Sequence, residues 1–253
     1  MSKPRLAKVV TMTAVLTFLA TTLGGWAITR IADRVVSDLS PEVSIDMTTP
    51  LHDNLSVSVP PTTDLTNVRI PSDPQVAYQW AVNQGGGPAN VVTASLTVWG
   101  NKDRPTVLTG IRARNVHCEP VPQWPHIYPL GGGEIGERMV EIDLDSGNLN
   151  AMPVENAVTG EVFQFPLQVT KSEVEAFRIL VSALNSNCTY QLELGYREDG
   201  TTKYVPIGAG PYRVISSSQA STTYRWTEVD PALDRSDPNY LKLEPCPSDE
   251  CTY

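Results

Sequence analysis

From residue 92 onward, apolar side chains recur at every second position in short runs separated by turn-forming residues. Val92-Thr93-Ala94-Ser95-Leu96-Thr97-Val98-Trp99 is the clearest run. In an extended chain it puts apolar groups on one face and polar groups on the other, as a half-buried strand requires. The stretch 106–116 places Val107, Thr109, Ile111 and Ala113 on one face and Arg112 and Arg114 on the other. Further strands are expected at 139–144, 162–169, 177–184, 190–196, 203–207, 212–215 and 224–229, with Asp199-Gly200 as a hairpin turn. The 21 prolines and 17 glycines oppose a helical bundle, because proline lacks the helical donor and glycine weakens helices. One short helix is expected at 74–82, capped by Asp73, opened by Pro74 and stopped at Gly85. The fold expected for 74–229 is therefore mainly β: an antiparallel two-sheet, Ig-like β-sandwich with one short helix.

The stretch 9–29 carries no charge and would span roughly 30 Å as a helix, matching the hydrocarbon thickness of a bilayer. Lys3, Arg5 and Lys8 precede it without any acid, which orients residues 1–8 toward the cytoplasm and exports the rest. A cleaved signal peptide ending at Gly25-Trp26-Ala27 is the alternative. The run is long for a signal core, so a single-pass anchor is favoured, with the C-terminal domain extracellular at the cell membrane. Residues 30–73, rich in Ser, Thr and Pro, read as a stalk. Its alternating runs at 43–45 and 55–59 leave open whether edge strands of the sandwich begin there. Residues 230–253 read as an extended acidic tail. The net charge of −9 argues against nucleic acid as a partner, since an acidic surface repels a polyphosphate.

Four cysteines in an exported chain point to disulfides. Cys118 follows one expected strand and Cys188 precedes another, while Cys246 and Cys251 are close enough to close a small loop. The pairs Cys118–Cys188 and Cys246–Cys251 are preferred over metal or thiol chemistry with His117 or His126. No catalytic signature emerges. The histidines are His52, His117 and His126, no serine sits in a Gly-x-Ser-x-Gly turn, and Glu134, Glu137, Glu141 and Asp143 form no distinguishable pair. Asp143-Leu144-Asp145-Ser146-Gly147-Asn148 faintly resembles the opening of a calcium loop, but the twelfth position is Val154, so a strand ending in a turn is preferred. The glycine runs at 85–87 and 131–133 lack a following Lys-Ser/Thr and read as turns. No cofactor is expected.

The most distinctive segment is 119–130, where Pro120, Pro122, Pro125 and Pro129 stiffen a chain carrying Trp124, His126 and Tyr128. A stiff loop loses little entropy on binding, and aromatic rings stack on sugars or fill a partner's pocket. These three residues are the candidate contacts for an envelope protein or glycan. The opposing reading folds Trp124 and Tyr128 back over the open end of the sandwich.

At Val107-Leu108-Thr109-Gly110-Ile111-Arg112-Ala113-Arg114, and again at Cys188-Thr189-Tyr190-Gln191-Leu192-Glu193-Leu194, the chain resembles a group of uncharacterised actinobacterial exported or membrane-anchored proteins. The resemblance covers about half of the chain through strand motifs. It implies a sandwich and no activity. The function expected is a binding or interaction module at the cell envelope; the alternatives are a secreted hydrolase using surface carboxylates and a purely structural envelope protein.

Overall fold

Alternating side chains become a strand wherever neighbouring strands take up the backbone hydrogen bonds. In the computed structural model, which describes residues 43–48, 56–66, 68–71, 74–128, 138–155, 160–228 and 240–246, this happens in three sheets. The elements in chain order are β1 (Val43–Thr48), β2 (Val57–Ser58), β3 (Arg69–Pro71), α1 (Pro74–Asn83), β4 (Gly87–Pro88), β5 (Val91–Gly100), β6 (Thr106–Glu119), β7 (His126–Tyr128), β8 (Arg138–Asp143), β9 (Met152–Pro153), β10 (Leu167–Val169), β11 (Val174–Ser182), β12 (Asn187–Glu198), β13 (Thr201–Ile215), β14 (Thr223–Glu228) and β15 (Tyr240–Pro245). The first sheet runs β1-β5-β11-β8-β9, the second β10-β6-β12-β13 and the third β3-β15-β14-β7-β2-β4. The expected membrane helix at 9–29 lies outside the described residues. Among those described, no helix is long and apolar enough to cross a membrane.

One core joins the first two sheets. Leu96 and Val98 of β5, Phe177 and Ile179 of β11 and Ile142 of β8 meet Leu108 and Ile111 of β6 and Tyr190, Leu192 and Leu194 of β12, all buried. The inward residues alternate along β5, β11 and β12, and along β6 from Ile111 to Ala113, so the outward residues of β6, β12 and β13 share the opposite face of the second sheet. A smaller core packs α1 on the third sheet, where Ala77 and Ala81 meet Val57, Val59, Ile127 and Trp226. Trp80 meets Trp226 edge to face at 5.7 Å. The helix stops where expected, at Gly85 with φ +83°. Gly86 follows in a close approach, since a Cβ there would lie 2.2 Å from the Ser58 carbonyl oxygen.

Several expectations are corrected. Among the described residues the sheets number three rather than two, because β2, β4 and β7 are too short to show any periodicity yet still find ladder partners. The pairing is not wholly antiparallel: β11 runs parallel to β8, and β14 parallel to β7. Alternation reports which face a residue takes, not the direction of its neighbour, and long crossovers such as 144–173 permit parallel pairs. Within 162–169 only β10 is a strand, whereas 203–207 and 212–215 belong to the single strand β13. Val43–Thr48, which the alternation at 43–45 left open between stalk and edge strand, is the edge strand of the first sheet, paired with β5. Tyr240–Pro245, placed in the acidic tail, pairs with β14 and β3.

The hairpin of β12 and β13 turns at Asp199 (φ +48°) and Gly200 (φ +78°), both left-handed as a tight two-residue turn demands. Cys118 faces Cys188 directly across β6 and β12, and the two are disulfide-bonded over a sequence separation of 70. Cys246 is also disulfide-bonded, while Cys251 lies outside the described residues.

Candidate functional site

Strand β6 carries two bulges against β12. Gly110 pairs with Gly195 and Leu108 with Tyr196, leaving Thr109 as an extra residue, and a second extra residue falls between Arg114 and His117. Gly110 (φ +154°) and Asn115 (φ +51°) provide the backbone turns. Between them, Arg112 and Arg114 stand on the outer face of the second sheet, opposite Glu193 and Gln191 of β12.

Glu193 ties the two arginines together. Arg112 donates to its Oε2 from Nε (3.0 Å) and Nη2 (2.8 Å), and Arg114 donates to Oε1 from Nη1 (2.6 Å). Glu193 is only 4% exposed, beneath arginine side chains that are 35% and 56% exposed. Burial pushes its carboxyl up, but hydrogen bonds from Arg114 and Arg112, with their charges, outweigh that and hold its pKa below the usual glutamate value. The carboxylate stays ionised, with both oxygens engaged.

Tyr204 of β13 lies across from Gly195 and is 45% exposed. A Cβ on Gly195 would come within 2.6 Å of Thr109 Oγ1 and 3.1 Å of Tyr204 Cε1, so the missing side chain makes room for the ring. The Arg112 guanidinium lies over that ring, its Cζ 3.4 Å from the centroid. Beside this stack, the outer edge of β6 changes partner. β10 pairs with it at 106–108 and the segment 149–151 at 111–113. Between these, Thr109 and Gly110 have no ladder partner on that edge among the described residues. A cavity of about 390 Å³ opens there, walled by Gly110, Arg112, Asn150, Gln164, Phe165 and Tyr204. That volume is within the roughly 300–1,000 Å³ typical of ligand pockets.

The sequence-derived contacts lie elsewhere. His126-Ile127-Tyr128 is strand β7, held between β14 and β2 in the third sheet. His126 is 2% exposed and cannot reach a partner from the surface, which corrects its assignment as a contact residue. Its ring meets Tyr128 edge to face at 4.7 Å, and neither ring nitrogen has a hydrogen-bond partner. Burial lowers its pKa to about 4. Trp124 is half-buried with the Arg213 guanidinium 5.1 Å from its ring centre, and Tyr128 is half-buried too. The structure brings none of these three into the cavity. At the calcium-like stretch, Asp143 Oδ1 accepts from the Asp145 amide, and Asp145 Oδ2 accepts from the Leu184 and Asn185 amides. The Asp143 carboxylate closes the turn after β8, and the Asp145 carboxylate fastens the turn between β11 and β12.

Sequence reasoning placed Arg112 and Arg114 on one face but missed Glu193 and Tyr204. The signal was available: counting outward from the Asp199-Gly200 turn pairs Gly195 with Tyr204, a ring over a glycine. Compared with known proteins, the chain matches no family model and no curated sequence.

Proposed function

We propose that this chain is an extracytoplasmic binding module, anchored through residues 9–29, that holds an envelope glycan against the outer face of its second sheet. The supporting scaffold reads as an Ig-like sandwich, since the five- and four-stranded sheets share one core. The observation that carries the reading is the half-exposed Tyr204 ring at the mouth of a cavity whose walls offer the amides of Asn150 and Gln164. A sugar ring presents C–H groups to an aromatic and hydroxyls to amides and backbone; Arg112 covers one face of Tyr204, so the C–H contact falls on the exposed remainder of that ring. Binding fits better than catalysis. Glu193, the carboxylate at the site, has both oxygens on guanidinium groups and a depressed pKa, which unsuits it to exchanging a proton near neutral pH.

The test is calorimetric titration of the full chain with an array of soluble oligosaccharides. Tyr204→Ala should weaken binding about tenfold or more with the thermal midpoint nearly unchanged, while Trp124→Ala leaves it intact. Loss of binding on Trp124→Ala with Tyr204→Ala silent would move the site back to the proline-rich segment and overturn this reading.

A further inference from the structure

The outer face of the second sheet is basic on a chain whose net charge is −9. Between the levels of Arg114–Gln191 and Arg197–Thr202, its outward positions are Arg112 and Arg114 on β6, Gln191, Glu193, Gly195 and Arg197 on β12, and Thr202, Tyr204 and Pro206 on β13. Three arginines stand there against one carboxylate, and that carboxylate is covered. From the level of Arg114, which faces Gln191, to Arg197 the row runs six residue steps along β12, about 20 Å at the strand rise.

Resting on the glycan reading above, we infer that the ligand is a linear acidic polysaccharide whose carboxylates are read by Arg112, Arg114 and Arg197 while a sugar ring lies at Tyr204. Glu193 is the positioning residue. It uses two donors of Arg112 and one of Arg114, and each guanidinium has five, so donors remain for a ligand. The pairing also fixes both side chains before the ligand arrives, which reduces the rotamer entropy lost on binding. Arg112 is held further by stacking on Tyr204. A row of charges rather than a single cation favours a repeating anion over a small acid. The hydroxyl-reading amides of Asn150 and Gln164, continuous with the row through Arg112 and Tyr204, favour a sugar chain over a bare lipid surface.

The experiment uses the full chain with its anchor held in phosphatidylcholine nanodiscs and four probes: polygalacturonate, the same polymer methyl-esterified, dextran, and vesicles of phosphatidylglycerol with phosphatidylcholine. Polygalacturonate should bind and weaken as salt rises, and esterification should remove most of the binding. Arg114→Gln and Arg197→Gln should each cost about tenfold, the size of a lost charge-assisted hydrogen bond. Arg197→Gln leaves the Glu193 pairing untouched, so its loss of affinity reads ligand contact rather than folding. Equal binding of charged and esterified polymers, unmoved by either substitution, overturns the acidic ligand and leaves the glycan reading standing. Failure of every polysaccharide overturns both. Vesicle binding without polymer binding overturns the inference in favour of a lipid surface.

Discussion

His126 offers a direct test of how the third sheet is built. Its imidazole is almost fully buried and both nitrogens lack partners, so the folded protein holds it neutral down to about pH 4. An unfolded histidine takes up its proton near pH 6.5. Between those values the unfolded chain binds more protons than the folded one, so stability falls as pH falls. The contribution is complete above about pH 6.5. Linkage gives a loss of about 2 kcal/mol at pH 5 and about 3 kcal/mol at pH 4, relative to pH 7. Glu193 and Asp145, whose carboxyls are held low in the fold, lose their contributions only below about pH 4.5, so pH 5 isolates the imidazole. The perturbation is His126→Phe, which keeps a ring in the space and removes the unpartnered nitrogens. Urea unfolding of both proteins at pH 7 and pH 5 is the assay. The variant should be at least as stable as wild type at pH 7, since an unsatisfied buried polar atom costs about 1–3 kcal/mol. Its advantage should grow by about 2 kcal/mol at pH 5. Parallel pH dependences of the two proteins over that interval would refute the burial of a neutral imidazole in β7.

Three further outcomes are expected. Non-reducing peptide mapping should recover Cys118 joined to Cys188, and replacing both by alanine should cost roughly 4 kcal/mol in urea unfolding, the chain-entropy value for a loop of that length. Gly195→Val should destabilise by about 1–3 kcal/mol and expel Tyr204 from its seat, seen as loss of the ring's near-ultraviolet circular dichroism, because its Cβ would collide with Thr109. Protease treatment of intact cells should remove the domain if residues from about Arg30 onward are exported; survival until lysis would reverse the topology.

What the sequence discloses depends on the length of each signal. In β5, Val92, Ala94, Leu96 and Val98 are all buried, as the alternation requires, and ten residues of one period leave no doubt about the facing. The hairpin at Asp199-Gly200 and the helix opened by Pro74 are local events, and local chemistry announces them. The third sheet is assembled from pairs such as Val57–Ser58 with Gly87–Pro88, in which two residues carry no period at all. Trp124, His126 and Tyr128 drew attention because aromatics among prolines look exposed. The same apolarity let β7 be taken into a sheet, and Ile127 between them is wholly buried. The site was hidden for a different reason: Arg112, Glu193 and Tyr204 are distant in sequence and meet only once the register of three strands is known.

The two bulges in β6 give that register a consequence for mutation. A strand behaves like a two-state counter, in which each residue flips the side presented to solvent, and Thr109 and the extra residue after Arg114 are single-step phase slips. Between the slips, exchanging one outward residue for another leaves the inward residues in place, whatever it does to the Glu193 pairing or to binding. The count is free only at a slip. Deleting Thr109 would remove the extra residue and leave Leu108 and Ile111 two places apart, both still inward, so each face keeps its residues. A deletion between the slips has no extra residue to absorb it and would exchange the charged face for the apolar one beyond it. Across variants of this chain, single deletions should therefore collect at the two bulges, and those between Ile111 and Arg114 should be found only in pairs that restore the phase.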